Sequence, residues 1–307
     1  MKPRVLITDK IHDKAIDAAR EFADVDVDIG CCPENLIKKI RGFDALIVRS
    51  ETKVTRNVIE AGKKLRVIGR AGVGLDNIDA NAAKEKGVEI VNSPEASSIS
   101  VAELVFGSML AVMRKIVQAD KSTRAGKWER SRFSGNELYG KTLGIIGFGR
   151  IGREVALRAN AFGMNVLAYD PNITKDAARK LNAQYEPDLD NVFRKSDIIT
   201  LHVPLIDSTK NMVNKKRLET MKENAVIVNI ARGGIIDEKA LYDALKNSTI
   251  AGAALDVFEK EPPAGSPLLT LDNIVLTQHL GASTDEAQIN AGIVVVEKVR
   301  DLLGTNT

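Results

Sequence analysis

Short β-branched runs alternate with amphipathic segments along most of the 307 residues, and that alternation leaves few folds open. Up to Val91 the order is RVLIT then DKAIDAAREF, DVDVDI then ENLIKKI, ALIVRS then RNVIEAG, LRVIGR then IDANAAKEKG, closing with VEIV. Apolar runs such as ALIV suit strands buried on both faces, and such strands separated by helix-length segments make parallel sheets with crossover helices. Asn92, Ser93 and Pro94 break the pattern, and one long apolar helix is expected from Ser98 to about Arg124. From Thr142 the alternation restarts through TLGIIG, NVLAYD, DIITLHV, AVIVNIA, TIAGAALDV and NIVLTQH. The reading is an α/β chain with two doubly wound parallel-sheet domains. A last helical segment, Asp285 to Leu303, is expected to pack back on the first half. Residues 1–97 and 285–307 would then form one discontinuous domain, and residues 98–284 the other.

Composition removes several classes. Lysine and arginine number 44 against 41 acidic residues, with the signs interspersed, so nothing marks a nucleic-acid partner. Cys31 and Cys32 are adjacent and are the only cysteines; they lack the spacing of a disulfide framework, a zinc site or a C-x-x-C pair. They read as ordinary thiols, and no metal site is expected. No apolar stretch approaches a membrane span and the opening MKPRVLITDK has no apolar signal region, so a cytoplasmic protein is the expectation.

Gly147, Gly149 and Gly152, in LGIIGFGRIG, fit G-x-G-x-x-G, a pattern that is weak alone. Here the buried-strand run TLGII enters it and the helix-forming REVALRANAF leaves it. In that setting Gly147 allows the tight turn, Gly149 lets the backbone approach a pyrophosphate, and Gly152 lets helix and strand touch. The helix N-terminus then offers free N–H groups to an anion. Asp170 ends the next strand, NVLAY, 18 residues beyond Gly152. A carboxylate there can accept hydrogen bonds from the adenine ribose and repel a 2′-phosphate, so a Rossmann-type domain binding NAD rather than NADP is expected. The loop GRAGVGLDNID has Gly72 and Gly74 but no third glycine and no acidic strand end. The backbone of Gly72, Val73 and Gly74 is either a nest for a small anion beside Arg70 or a turn shaped for packing.

Oxidising a hydroxy acid beside a nicotinamide needs a cation for the carboxylate, a group that moves the hydroxyl proton, and a partner for that group. Arg232 follows AVIVNIA at the carboxyl end of a strand, where doubly wound folds place ligands, and a guanidinium binds a carboxylate bidentately. His279 ends NIVLTQH, and Glu261, in FEKEPP, could stabilise its imidazolium. The two other histidines are His12, at a surface-like helix start, and His202, at another strand end. Spacing alone leaves His279 open between a structural and a catalytic role.

The blocks GFGRIGREVA, NIARGGIIDEKAL, ALDVFEKEPP and HLGASTDEAQ resemble the signatures of the D-isomer-specific 2-hydroxyacid dehydrogenases, and the similarity covers essentially the whole chain. The resemblance implies a flavodoxin-like substrate domain beside the Rossmann-type one. It makes Arg232, Glu261 and His279 the catalytic arginine, glutamate and histidine. Asp170 would bind the adenine ribose, Arg150 and Ile151 would lie under the pyrophosphate, and Asp256 would face the nicotinamide carboxamide. Pro204 and Thr209 would line the adenine pocket, with Ala231, Gly281 and Ala282 also at the cofactor. Substrate contacts would be Arg49, Ser50, Arg70 and the backbone of Gly72, Val73 and Gly74. Arg130 would reach in from a partner subunit, because the family dimerises through this region.

Within the family, VRSETKV, GRAGVGLDNID, GKWERSRFSGNEL and YGKTLGIIG most resemble members that oxidise D-3-phosphoglycerate with NAD, the first step of phosphorylated serine biosynthesis. The expected partners are that small phosphorylated 2-hydroxy acid and a second copy of the chain. A glyoxylate or hydroxypyruvate reductase is the alternative, and a non-catalytic NAD-responsive binding protein a more distant one. Many such members carry C-terminal domains that bind serine, whereas this sequence stops at Thr307 after its last helix, so feedback inhibition by that route is not expected.

Overall fold

Val5, Leu6 and Ile7 are fully buried, and so are Ala45 to Val48, because a parallel strand covered on both faces needs apolar residues at every position. In the computed structural model, which describes residues 2–304, these runs are two of five parallel strands. They are β1 (Arg4–Ile7), β2 (Asp24–Val27), β3 (Ala45–Val48), β4 (Val67–Arg70) and β5 (Glu89–Asn92), ordered β2-β1-β3-β4-β5. Helices α1 (Asp13–Phe22), α2 (Pro33–Lys39), α3 (Arg56–Ala61) and α4 (Ala80–Lys86) make the crossovers. This strand order is that of flavodoxin.

A second sheet follows. Its seven parallel strands are β6 (Thr142–Ile146), β7 (Asn165–Tyr169), β8 (Ala183–Tyr185), β9 (Ile198–Leu201), β10 (Val226–Asn229), β11 (Gly252–Leu255) and β12 (Ile274–Leu276). Their order, β12-β11-β10-β9-β6-β7-β8, reverses between β6 and β9, the switch point at which doubly wound sheets open a crevice for ligands. The helices of this part are α5 (Ser98–Met113), α6 (Ile116–Arg124), α7 (Arg150–Ala161), α8 (Lys175–Arg179), α9 (Leu189–Lys195), α10 (Lys215–Thr220) and α11 (Glu238–Lys246). The chain clusters into one unit of residues up to Ser98 together with those from Ala282 on, and another of Ile99–Gly281. The last helix, α12 (Asp285–Leu303), belongs to the first unit. A Cβ at Gly292 would sit 2.6 Å from that of Ala15, and one at Gly69 would sit 2.6 Å from Val295, so α12 reaches α1 and β4 through the absence of side chains there. Val295, Val296 and Val299 complete a core with Val5, Ile7 and Ala15.

Two elements depart from the sequence reading. The single helix expected from Ser98 to Arg124 is broken at Lys115, whose backbone is left-handed with φ 53°. The physical reason is a competing donor: the Met113 carbonyl accepts the amide of Asn136 at 2.9 Å, and Gly135 lies so close that a Cβ on it would be 2.4 Å from the same oxygen. The strand β8 is the other addition; AQY carries no apolar run and lies at the sheet edge, paired only with β7. No helix among the described residues is long and apolar enough to cross a membrane.

Candidate active site

At the end of β6 the chain turns at Gly147, with φ 94°, and a Cβ there would lie 2.5 Å from the carbonyl oxygen of His202. At Gly152 a Cβ would lie 2.2 Å from the Gly147 carbonyl oxygen, so α7 meets the turn only without a side chain. Gly149 differs: nothing lies within 4 Å of where its Cβ would be. It is the N-cap of α7 and leaves the helix without a side-chain cap, and Arg150 and Ile151 begin the first turn. Open space against uncapped amides fits a pyrophosphate. The Asp170 carboxylate accepts the amides of Phe148 and Asn172, both at 2.8 Å, which fastens the end of β7 to the glycine turn. The Thr209 hydroxyl donates to the Pro204 carbonyl at 2.6 Å and accepts the Ile206 amide at 2.9 Å, closing the turn that follows β9.

The loops leaving β10, β11 and β12 carry the other three residues. His279 Nδ1 lies 2.8 Å from Glu261 Oε2, while Glu261 Oε1 accepts the Phe258 amide at 3.2 Å. His279 holds a left-handed backbone, φ 57°, uncommon for a non-glycine residue, and the bonds around it hold that conformation. Those bonds centre on Asp256. Its buried carboxylate accepts the amides of Leu280 at 2.7 Å and Gly281 at 2.9 Å and the Thr277 hydroxyl at 2.6 Å, and its carbonyl accepts the His279 amide at 2.8 Å. The Gly281 carbonyl in turn accepts the Ser100 hydroxyl at 2.7 Å, and Ala282 is half-buried just beyond. Two residues absent from the sequence reading shape the arginine turn. Asn229, buried at the end of β10, donates to the Arg232 carbonyl at 2.9 Å and accepts the Ala231 amide at 3.1 Å, and Arg232 Nη1 donates to the Ala231 carbonyl at 2.7 Å. Gly233 packs so tightly that a Cβ would stand 1.8 Å from the Phe258 carbonyl oxygen. The arginine turn is therefore seated on the segment that leads to Glu261.

The remaining histidines do not join this pair. His12 caps α1, accepting the Lys14 amide on Nδ1. His202 shares a 3.0 Å hydrogen bond between Nε2 and Thr200, its Nδ1 is buried, and burial pushes its imidazole down to about 3, so the ring is neutral. Burial and the neighbouring Asp28 push the Cys31 thiol up, away from thiolate chemistry. Among the described residues no group of three or more His, Cys, Asp or Glu side chains could hold a metal ion.

In the first unit, Arg49 is half-buried and Ser50 exposed directly after β3. Arg70 ends β4 and lies across Gly72, where φ is 148° and a Cβ would be 2.0 Å from its Nη1. The Gly72 carbonyl accepts the Ser93 amide at 3.0 Å and the Val73 carbonyl accepts the Asn92 side chain at 2.6 Å, holding the loop through Gly74. Arg130, in the second unit, is exposed at the start of a 3-10 turn.

A parallel sheet with a glycine turn at its switch point and a histidine–carboxylate pair at the carboxyl ends of its strands defines a doubly wound nucleotide-binding architecture. Residues 106–281 match the family described as D-isomer specific 2-hydroxyacid dehydrogenase, NAD binding domain, and the chain belongs to that family. Among curated relatives, the D-3-phosphoglycerate dehydrogenases of Methanocaldococcus jannaschii and Archaeoglobus fulgidus are 55% and 49% identical over 98% and 96% of this chain. The chain spans only 57% and 56% of their lengths. A hydroxypyruvate reductase of Thermotoga maritima is 53% identical over 88% of both chains. Of solved structures, D-lactate dehydrogenase from Aquifex aeolicus complexed with NAD and lactic acid is 30% identical, with TM-score 0.85 over 98% of this chain and 95% of that one. The TT0316 protein from Thermus thermophilus is 35% identical, with TM-score 0.88 over 98% and 97%.

Proposed function

We propose that the chain catalyses the NAD-dependent interconversion of D-3-phosphoglycerate and 3-phosphohydroxypyruvate, as the first step of phosphorylated serine biosynthesis, in the cytoplasm and as a homodimer. The observation that carries the chemistry is the His279–Glu261 contact at 2.8 Å, with Gly233 seating the Arg232 turn on the same segment. With Nδ1 committed to Glu261, the other ring nitrogen of His279, Nε2, is the atom that exchanges a proton with the substrate hydroxyl. NAD supplies the hydride acceptor when bound. In oxidation the C2 hydrogen leaves as hydride and Nε2 takes the hydroxyl proton, so the C–O bond becomes a carbonyl; in reduction the same nitrogen returns the proton. Arg232 binds the carboxylate and polarises the carbonyl. Asp170 selects the unphosphorylated ribose, Gly147, Gly149 and Gly152 with Arg150 and Ile151 receive the pyrophosphate, and Pro204 and Thr209 border the adenine.

A substrate with a carboxylate and a phosphate carries more negative charge than Arg232 alone offsets, and Arg49 and the Arg130 of a second copy are the cations for the phosphate. Ser50, Arg70 and the backbone of Gly72, Val73 and Gly74 are the further substrate contacts. The rival reading, a hydroxypyruvate reductase, is favoured by the Thermotoga maritima relative, 53% identical over 88% of this chain. The test is kcat/KM for 3-phosphohydroxypyruvate, hydroxypyruvate and glyoxylate with NADH and with NADPH. Preference for the phosphorylated acid with NADH supports the proposal; preference for hydroxypyruvate transfers it to the rival, and no turnover of any 2-oxo acid leaves a binding protein.

A further inference from the structure

We propose that Asp9 and Asn77 are positioning residues for the substrate anion: together they fix the Arg49–Thr52 turn from two sides, so that Arg49 and Ser50 are held in one arrangement. The inference rests on the reading of Arg49 and Ser50 as substrate contacts. Asp9 lies just beyond β1 and is 1% exposed. The donors to its carboxylate come from a single short segment: the amides of Arg49 at 2.6 Å, Glu51 at 3.1 Å and Thr52 at 3.0 Å, and the Thr52 hydroxyl. Asn77 grips the same segment by its other polar groups, donating to the carbonyls of Arg49 at 3.0 Å and Thr52 at 2.7 Å.

A buried carboxylate is a costly way to close a turn, since a neutral serine or asparagine loses less hydration. What the carboxylate adds is capacity: two oxygens can take four donors in charge-assisted bonds, which one neutral acceptor cannot. With the Arg49, Glu51 and Thr52 amides held by Asp9 and the Arg49 and Thr52 carbonyls by Asn77, the backbone on both sides of Ser50 is fixed, and the direction of the Arg49 side chain is set at its root. Asn77 also follows the Gly72–Gly74 loop in the chain, so one residue couples the two segments of this unit assigned to substrate.

The test uses the full chain and four variants: Arg49→Ala, Asp9→Asn, Thr52→Val and Asn77→Ala. The measurements are KM and kcat for 3-phosphohydroxypyruvate, the NADH dissociation constant by fluorescence titration, and Tm. Loss of the brace is expected to raise KM by roughly 10- to 100-fold, the scale of a displacement near 1 Å, with NADH binding unchanged. Asp9→Asn combined with Arg49→Ala is expected to cost less than the product of the single effects, because both act through the same side chain. If Asp9→Asn fails to fold, Thr52→Val and Asn77→Ala, which leave the carboxylate in place, carry the measurement. A raised KM in Arg49→Ala with wild-type KM in the brace variants overturns the proposal and spares the reading beneath it, as does a lowered Tm without a change in KM. A wild-type KM in Arg49→Ala removes that reading, and the proposal with it.

Discussion

Replacing Gly233 with alanine inserts a methyl group where the arginine turn meets the segment leading to Glu261. The new Cβ would stand 1.8 Å from the Phe258 carbonyl oxygen, 2.1 Å from its carbon and 2.8 Å from the Glu259 nitrogen, against the 3.4 Å at which ordinary contact begins. All three obstacles are backbone, so no rotamer relieves them; the two segments must part by roughly 1.5 Å along the contact, a strain of about 1–3 kcal/mol. In a unit of this size that corresponds to a fall in Tm of roughly 2–12 °C. The larger effect falls on catalysis, because the shift separates the Arg232 turn from the Glu261 segment, and a displacement near 1 Å costs about 10²-fold in rate. The assay is kcat for reduction of 3-phosphohydroxypyruvate, with Tm by calorimetry and NADH affinity by fluorescence. NADH affinity is expected to fall less than kcat, since Gly147, Gly149 and Gly152 lie at the end of a different strand, although Ala231 shares the displaced turn. Wild-type kcat together with wild-type Tm would refute the argument that this contact registers the two loops.

The glycine turn separates two kinds of glycine. Gly149→Ala, with φ −73° and open space around its Cβ, is expected to leave Tm within a few degrees but weaken NADH by about tenfold or more, whereas Gly152→Ala, 2.2 Å from the Gly147 carbonyl, lowers Tm. Equal thermal effects of the two substitutions count against this division. His279→Asn is expected to lower kcat by roughly 10²–10⁴-fold with NADH affinity unchanged, and turnover close to wild type removes His279 from the chemistry. His202, pushed by burial down to about 3, stays neutral in the fold but takes up a proton near pH 6.5 once unfolded. Its folded-state value is depressed, so the unfolded chain binds the extra proton between those limits: stability is full above about pH 6.5 and falls as pH drops from there toward 3. Denaturant titrations at pH 7 and pH 5 are expected to show a loss in the wild-type protein that His202→Asn largely lacks; identical losses contradict it.

What could be read from the sequence was whatever a local stretch determines. ALIV and VIVN are apolar at nearly every position and read as buried strands, and the glycine turn was recognisable because a strand enters it and a helix leaves it. The break at Lys115 was not legible, because its cause is the amide of Asn136, 21 residues downstream, competing for the Met113 carbonyl. Gly233 reads as one of a glycine pair after an arginine; that it must be glycine follows only from Phe258, which the fold brings against it. Asp9 left a faint signal, a carboxylate at the end of the buried run VLIT, but its donors come from residues 49–52 across the sheet. The Asp256 carboxylate enters the sequence reading only as a cofactor contact, yet the bonds it makes in the fold are to the turn around His279, a use that sequence spacing does not reveal.

The placement of α12 has a consequence for the order in which this molecule can be assembled at the ribosome. Ile99–Gly281 is one uninterrupted stretch holding both faces of its own seven-stranded sheet, so it has all its core residues as soon as it emerges. The unit made earlier in the chain must wait: until Val295, Val296, Val299 and Leu303 are synthesised, the core that Val5, Ile7 and Val67 share with Ala15, Ala19 and Phe22 of α1 lacks its α12 side. Domains fold as units during synthesis, so the half that begins first is the half that finishes last. For the whole of that interval the core of the first unit stays incomplete.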